Sequence, residues 1–300
     1  MFKTILFATS ATEASDHAAR VAFTMAALNQ AVLHVFHVLG VPSRGYSQLV
    51  TDVKTRERVE VDEDYTAWVK EELRTYYEKQ LADEAVRVEI EVAVGFPHRE
   101  ILRRAKAVGA DLIVLGRSTG EAEDSVYKKS FAGSTLQRVA RAARCPVLVV
   151  SRPAASFWGG LSNIVFGTDF SKAADKAFEL AAELARTFAC ELHIFHALDI
   201  SSMHMGRSVS QDEIEQQRRE ALRRIRAQYL SRIQGIGVYS LEVWEGIPFV
   251  EIVKYAREKH ADLIVLAHHS KALEAEGGRI GSNVEQVIVR AGCPVISMNR

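Results

Sequence analysis

The chain is poor in cysteine, with three in 300 residues, Cys145, Cys190 and Cys293. They are too few and too scattered for a disulfide framework, so a reducing, cytoplasmic setting is the expectation. Cys145 and Cys293 each precede a proline at the start of an apolar stretch, which favours structural burial over redox chemistry. No apolar run approaches the roughly 18 residues of a membrane span. The opening Met1–Phe7 has no charged region leading into a long apolar one and reads as a first strand, not a signal peptide. An excess of either charge is missing too: Lys+Arg and Asp+Glu both number 38. A dedicated nucleic-acid binder needs a basic face to neutralise phosphates, and none is expected here. Gly-x-x-x-x-Gly-Lys-Ser/Thr does not occur, which excludes a P-loop NTPase. What is present is a hydrophobic fraction of 48%, ample for packed cores and too high for a disordered chain. The length suits about two domains.

The chain repeats itself. Phe7-Ala8-Thr9 recurs as Phe166-Gly167-Thr168, and His34-Val35-Phe36-His37 as His193-Ile194-Phe195-His196, both at an offset of 159. Gly95-Phe96-Pro97 returns as Gly246-Ile247-Pro248, and Ala110–Leu115 as Ala261–Leu266, at 151. Gly133-Ser134 and Cys145-Pro146-Val147 return at 148, as Gly281-Ser282 and Cys293-Pro294-Val295. Matches in this order along the whole chain imply two homologous domains, 1–152 and 160–300, joined by a Pro/Ser/Gly-containing linker at about 151–160.

Each copy alternates strand and helix. In the first, the pattern predicts strand Lys3–Ala8, helix Glu13–Asn29 with a Ser10/Glu13 capping box, and strand Ala31–Val38. A variable segment follows, then a charged helix Tyr65–Ala82. Strand Arg87–Val94, helix His98–Val108 led by Pro97, strand Leu112–Leu115, helix Ser134–Ala143 and strand Val147–Val150 complete it. The second copy repeats this order from Asn163 to Met298, with its charged helix at Gln211–Ile233. Such alternation implies βαβ crossovers and a parallel sheet buried on both faces. The last strands, Val147–Val150 and Val295–Met298, are apolar edges expected to pair with one another across a pseudo-twofold axis.

Ligands of such sheets sit at the carboxyl ends of the strands, where strand order reverses. The loops after strands one and four therefore carry the candidates. Ala110–Gly116 empties into a Gly/Ser/Thr loop, and Gly133-Ser134-Thr135 opens a helix, whose free N–H groups and dipole suit a phosphate.

The ordered set β1–Thr-Asp/Ser, His-Val, Gly-x-Pro, Ala-Asp-Leu-Ile-Val-Leu-Gly, Gly-Ser and Cys-Pro-Val resembles the universal stress protein family in its tandem two-domain form. The resemblance covers essentially the whole chain. It implies an α/β fold: two tandem Rossmann-like (adenine nucleotide alpha hydrolase-like) domains, each with a five-stranded parallel sheet. Some family members bind ATP through an Asp after strand one and a Gly-x-x-Gly followed about nine residues later by Gly-Ser/Thr; others lack the pattern and do not. Carried onto this sequence, the first site comprises Thr9, Ser10, Val38, Gly116, Thr119, Gly133, Ser134 and Thr135. The second comprises Thr168, Asp169, Ala197, Ala267, His268, Ser270, Gly281, Ser282 and Asn283. Both depart from the pattern. Ser10 replaces the Asp, Thr119 replaces the second Gly, and thirteen residues (120–132) precede Gly133. The second half keeps Asp169 but has Ala267-His268-His269-Ser270 for Gly-x-x-Gly, with ten residues before Gly281. A Cβ at the second Gly crowds a phosphate, and losing the Asp removes a charged acceptor. The second half, closer in spacing, is the slightly better candidate.

Other constellations fail. Gly116-Arg117-Ser118-Thr119-Gly120 fits a nucleophile elbow, but no helix follows at once and the next histidine is His193, across the linker. His34/His37 and His193/His196 sit three apart on strands and point to opposite faces, so neither pair chelates one ion. His268-His269 reads as packing or phosphate contact. The arginines at 218, 219, 223, 224 and 226 interleave with Glu213, Glu215 and Glu220, which favours a solvated helix face. No metal and no catalytic residue is assigned. The expectation is a cytoplasmic stress-response module that binds ATP or another adenine nucleotide, with or without magnesium, and an unidentified protein partner. It would form a pseudo-dimer within the chain, with a homodimer open. A nucleotide-free scaffold with relic sites is one alternative. Slow ATP hydrolysis, with Asp169 the only candidate near the phosphates, is another.

Overall fold

A computed structural model of the chain describes residues 1–40, 49–51, 58–60, 62–82, 85–116, 135–151, 160–199, 210–268 and 282–299. It divides into two compact units, Phe2–Val150 and Ser151–Arg300. The linker residues 152–159 lie outside the described residues.

The first unit runs β1 (Thr4–Thr9), α1 (Glu13–Asn29), β2 (Val32–Gly40), β3 (Leu49–Thr51), β4 (Arg58–Glu60), α2 (Glu63–Tyr76), α3 (Glu78–Leu81), β5 (Arg87–Gly95), α4 (Pro97–Val108), β6 (Leu112–Gly116), α5 (Thr135–Ala142) and β7 (Val147–Val150). Its main sheet has the order β5-β2-β1-β6-β7, every pairing parallel. The second unit runs β8 (Asn163–Gly167), α6 (Lys172–Thr187), β9 (Glu191–Asp199), α7 (Gln211–Tyr229), a 3-10 turn Leu230–Arg232, β10 (Tyr239–Gly246), α8 (Pro248–Glu258), β11 (Leu263–His268), α9 (Ser282–Arg290) and β12 (Val295–Asn299). Its order, β10-β9-β8-β11-β12, is again wholly parallel. Each unit is thus a five-stranded Rossmann-like sheet whose order reverses between its first and fourth strands.

The central strands are apolar throughout because helices cover both faces. Ile5, Leu6, Phe7, Ile113, Val114, Ile164, Val165 and Phe166 are fully buried. The repeated Ala-Asp that precedes strand four is a tether. The Asp111 carboxylate accepts from the backbone N–H of Lys3 at 2.7 Å and of Thr4 at 3.2 Å. Asp262 does the same for Ser162 and Asn163, at 2.7 and 2.9 Å. The repeated Gly-x-Pro also has a steric cause. Gly95 (φ 155°) and Gly246 (φ 146°) adopt backbone that favours glycine. A Cβ there would lie 2.9 and 2.8 Å from the Cγ of Glu100 and Glu251, in the first turns of helices that proline starts at N1.

Several sequence expectations are corrected. No Ser10/Glu13 capping box forms: the N-cap of α1 is Thr12, without a side-chain cap, because the Ser10 hydroxyl bonds those of Thr12 (2.9 Å) and Ser15 (2.7 Å). The helix expected at Tyr65–Ala82 starts at Glu63, capped by the Asp62 carboxylate on the Tyr65 N–H, and breaks at Tyr77. The variable segment contains the antiparallel β3–β4 pair. The second charged helix ends at Tyr229, and its start carries a full Ser210/Glu213 capping box.

Candidate functional site

The carboxyl end of the first strand is built the same way in both units. The hydroxyl of Thr9 accepts from the Ala11 N–H, and that of Thr168 from the Phe170 N–H, each at 2.9 Å. These turns hold Ala11 and Phe170 at φ 52° and 62°, a conformation non-glycine residues rarely adopt. A second bond fixes each threonine: Thr9 to the Tyr77 hydroxyl at 2.5 Å, Thr168 to the Tyr229 hydroxyl at 2.7 Å. Burial raises both phenols above their usual range, Tyr229 to about 12. The tyrosines are fully buried against matching aromatic neighbours, Phe7 and Phe23 in one unit, Phe166 and Phe178 in the other. The threonine carbonyls accept from the Nδ1–H of His37 (2.9 Å) and His196 (2.7 Å). Burial lowers the pKa of both imidazoles, which keeps them neutral scaffolding.

The residues set on this frame differ. In the first unit the Ser10 hydroxyl is already engaged with Thr12 and Ser15. In the second, Asp169 is exposed, and its Oδ1 accepts from the Ser171 N–H at 2.9 Å. Phe170 follows, its ring 4.5 Å from that of His196 and 4.4 Å beneath the Arg224 guanidinium. Arg224 is exposed, as a solvated helix face requires, and it also contacts the loop.

Strand register brings part of the candidate set together. Ala8 pairs with Leu115, so Thr9 and Ser10 lie beside the half-buried Gly116. Gly167 pairs with Leu266, so Thr168 and Asp169 lie beside Ala267 and His268. Val38 and Ala197 are half-buried near the ends of β2 and β9. Thr135 opens α5, Ser282 opens α9, and Asn283 is exposed on α9. Thr119, Gly133, Ser134, Ser270 and Gly281 lie outside the described residues, as do Ser118 and His269.

His268 fits the packing side of its reading. It is buried, its Nδ1 lies 3.2 Å from the Ser297 hydroxyl, and its Nε2 has no partner among the described residues. Desolvation pushes its pKa from 6.5 to about 4. The cysteines are equally inert: burial lifts Cys145 and Cys190 to about 11 and Cys293 to about 12.

The sequence reading missed the two tyrosines, Phe170 and Arg224. Tyr77 and Tyr229 stand at an offset of 152, between those of the flanking matches, so aligning the ends of the two charged helices would have paired them. Phe170 left no such signal, because its counterpart is Ala11.

Comparisons with known proteins agree with this architecture. The sequence model of the Universal stress protein family matches residues 1–151 and 160–297. Universal stress protein MJ0531 of Methanocaldococcus jannaschii is 29% identical over 143 residues, 46% of this chain and 82% of that protein. Universal stress protein YxiE of Bacillus subtilis is 32% identical over 157 residues, 50% of this chain and 99% of that one. A crystal structure of a universal stress protein from Archaeoglobus fulgidus superposes with a TM-score of 0.69 at 20% identity, covering 99% of this chain and 98% of that one. With both repeats matched and the same fold across the full length, the chain belongs to the universal stress protein family.

Proposed function

We propose that this protein is a cytoplasmic stress-response module whose second half binds an adenine nucleotide at the carboxyl end of its sheet. The observation that carries the reading is Asp169. Its carboxylate is exposed at the point where strand order reverses, the position at which such sheets take ligands. A carboxylate there can accept from a ribose hydroxyl or an adenine amino group, and the helix that opens at Ser282 offers its N-terminus for the phosphates. Magnesium would accompany the triphosphate. The first half supports a second reading, a relic site in a protein-interaction scaffold, because its Ser10 hydroxyl is already taken by Thr12 and Ser15. No described helix is long and apolar enough to cross a membrane. Thermal unfolding of the full chain tests the binding. A rise in melting temperature is expected with millimolar Mg-ATP, since a ligand of the native state stabilises it by mass action. An unchanged melting temperature contradicts the proposal.

A further inference from the structure

A different cluster lies away from the carboxyl ends, on β2 and β5. His34 stands opposite Glu89, and Phe36 opposite Glu91, in a parallel register. Because side chains alternate along a strand, His34, Glu89 and Glu91 share one face. His34 is 7% exposed, and its Nδ1 has no hydrogen-bond partner among the described residues. That nitrogen lies 3.4 Å from Glu89 Oε2 and 3.7 Å from Glu91 Oε1. One ligand atom from each residue falls within 4.8 Å of the others. A tetrahedral zinc with bonds of about 2.0–2.1 Å separates its ligand atoms by roughly 3.3 Å, so small side-chain rotations bring the three onto one ion.

The second unit supplies a comparison on the same backbone. Ser240 holds the place of Glu89 and pairs with His193. His193 is satisfied by neutral groups, Nδ1 with the Ser240 hydroxyl at 2.8 Å and Nε2 with the Asn163 side-chain oxygen at 3.3 Å. The Tyr255 hydroxyl, where the first unit has Arg104, completes the network at 2.9 Å from Ser240. Glu191 also lies 3.7 Å from His193 Nε2, so the difference is in the hydrogen bonds: the first unit has Glu89 for that serine, Arg104 for that tyrosine, and a ring nitrogen without a hydrogen-bond partner among the described residues.

We propose that His34, Glu89 and Glu91 form a zinc site, with water as the remaining ligand. The Glu89 and Glu91 side chains are 38% and 31% exposed at the edge of the sheet, which gives an ion access. Two arginines compete. Arg87 pairs with Glu89 at 3.1 Å but is largely exposed, so that pair is weak. Arg104 pairs with Glu91 and is the stronger rival.

The test is titration of chelator-stripped full-length protein with zinc chloride, read by calorimetry and by competition with a chromophoric chelator. One zinc per chain should be lost or weakened by Glu89→Gln, an exposed-edge change that spares the core. Loss of an outer-shell partner alone costs about 10–100-fold in metal affinity, so loss of a ligand should cost at least tenfold. His193→Asn should leave that site unchanged. Arg104→Gln should tighten binding by freeing Glu91. Absence of zinc binding, equal binding by wild type and Glu89→Gln, or weaker binding by Arg104→Gln would each overturn the proposal.

Discussion

The two halves share a scaffold and differ in what it carries. In each, a threonine at the carboxyl end of the first strand (the last residue of β1, the residue after β8) bonds a buried tyrosine and the second N–H beyond it, and offers its carbonyl to a histidine. Onto that frame the first half sets Ser10 and Ala11, the second Asp169 and Phe170. On the neighbouring strands the hydrogen bonding differs: His34 faces Glu89 and Glu91 with Nδ1 unpartnered among the described residues, whereas His193 Nδ1 bonds the Ser240 hydroxyl. The frame holds the loop in place, so the exposed positions can change chemistry without changing the fold.

The sharpest way to break that equivalence is at the tethers. Asp262 is 6% exposed and holds two backbone N–H groups, whereas Asp111 is only half-buried. Asp262→Ala should cost about 3–4 kcal/mol, the sum of two charge-assisted bonds, and Asp111→Ala about 1–2 kcal/mol. Urea unfolding measures both; equal losses would mean that burial does not set the difference. Acid should separate the halves next. The folded-state pKa of His268, about 4, lies below the 6.5 of a free imidazole. As pH falls the unfolded chain takes up this proton first. The stability tied to His268 is therefore fully present above about pH 6.5 and is lost progressively toward pH 4, by about 2–3 kcal/mol. His268→Gln should flatten that acid limb; an unchanged slope would remove His268 as its source. The smallest effect should be symmetrical. Tyr77→Phe and Tyr229→Phe each delete one hydroxyl of a buried pair and should each cost about 1 kcal/mol. Unequal losses in chemical denaturation would show that the two frames are not energetically alike.

Most of the fold was legible because its signals are periodic or repeated. Apolar runs marked the central strands, Pro97 and Pro248 marked helix starts, and constant offsets marked the duplication. The site was less legible. The Thr9–Tyr77 and Thr168–Tyr229 bonds join residues 68 and 61 positions apart, and a hydroxyl pair leaves no periodic trace. Ser10 matched a capping box by spacing, yet three neighbouring hydroxyls satisfied one another instead. Glu89 and Glu91 read as ordinary alternation on an edge strand; only strand register placed them against His34. The β3–β4 pair, three residues in each strand, is too short to carry a period.

The difference between Asp169 and Ser10 is the centre of the functional account, and calorimetric titration of the full chain with Mg-ATP tests it most directly. Asp169→Asn keeps the Ser171 contact but removes the charge, and should weaken binding about ten- to a hundredfold, the worth of one hydrogen bond to a charged group. Ser10→Ala should leave binding unchanged. Equal affinity in wild type and Asp169→Asn, or loss of binding in Ser10→Ala alone, would contradict a nucleotide site in the second half.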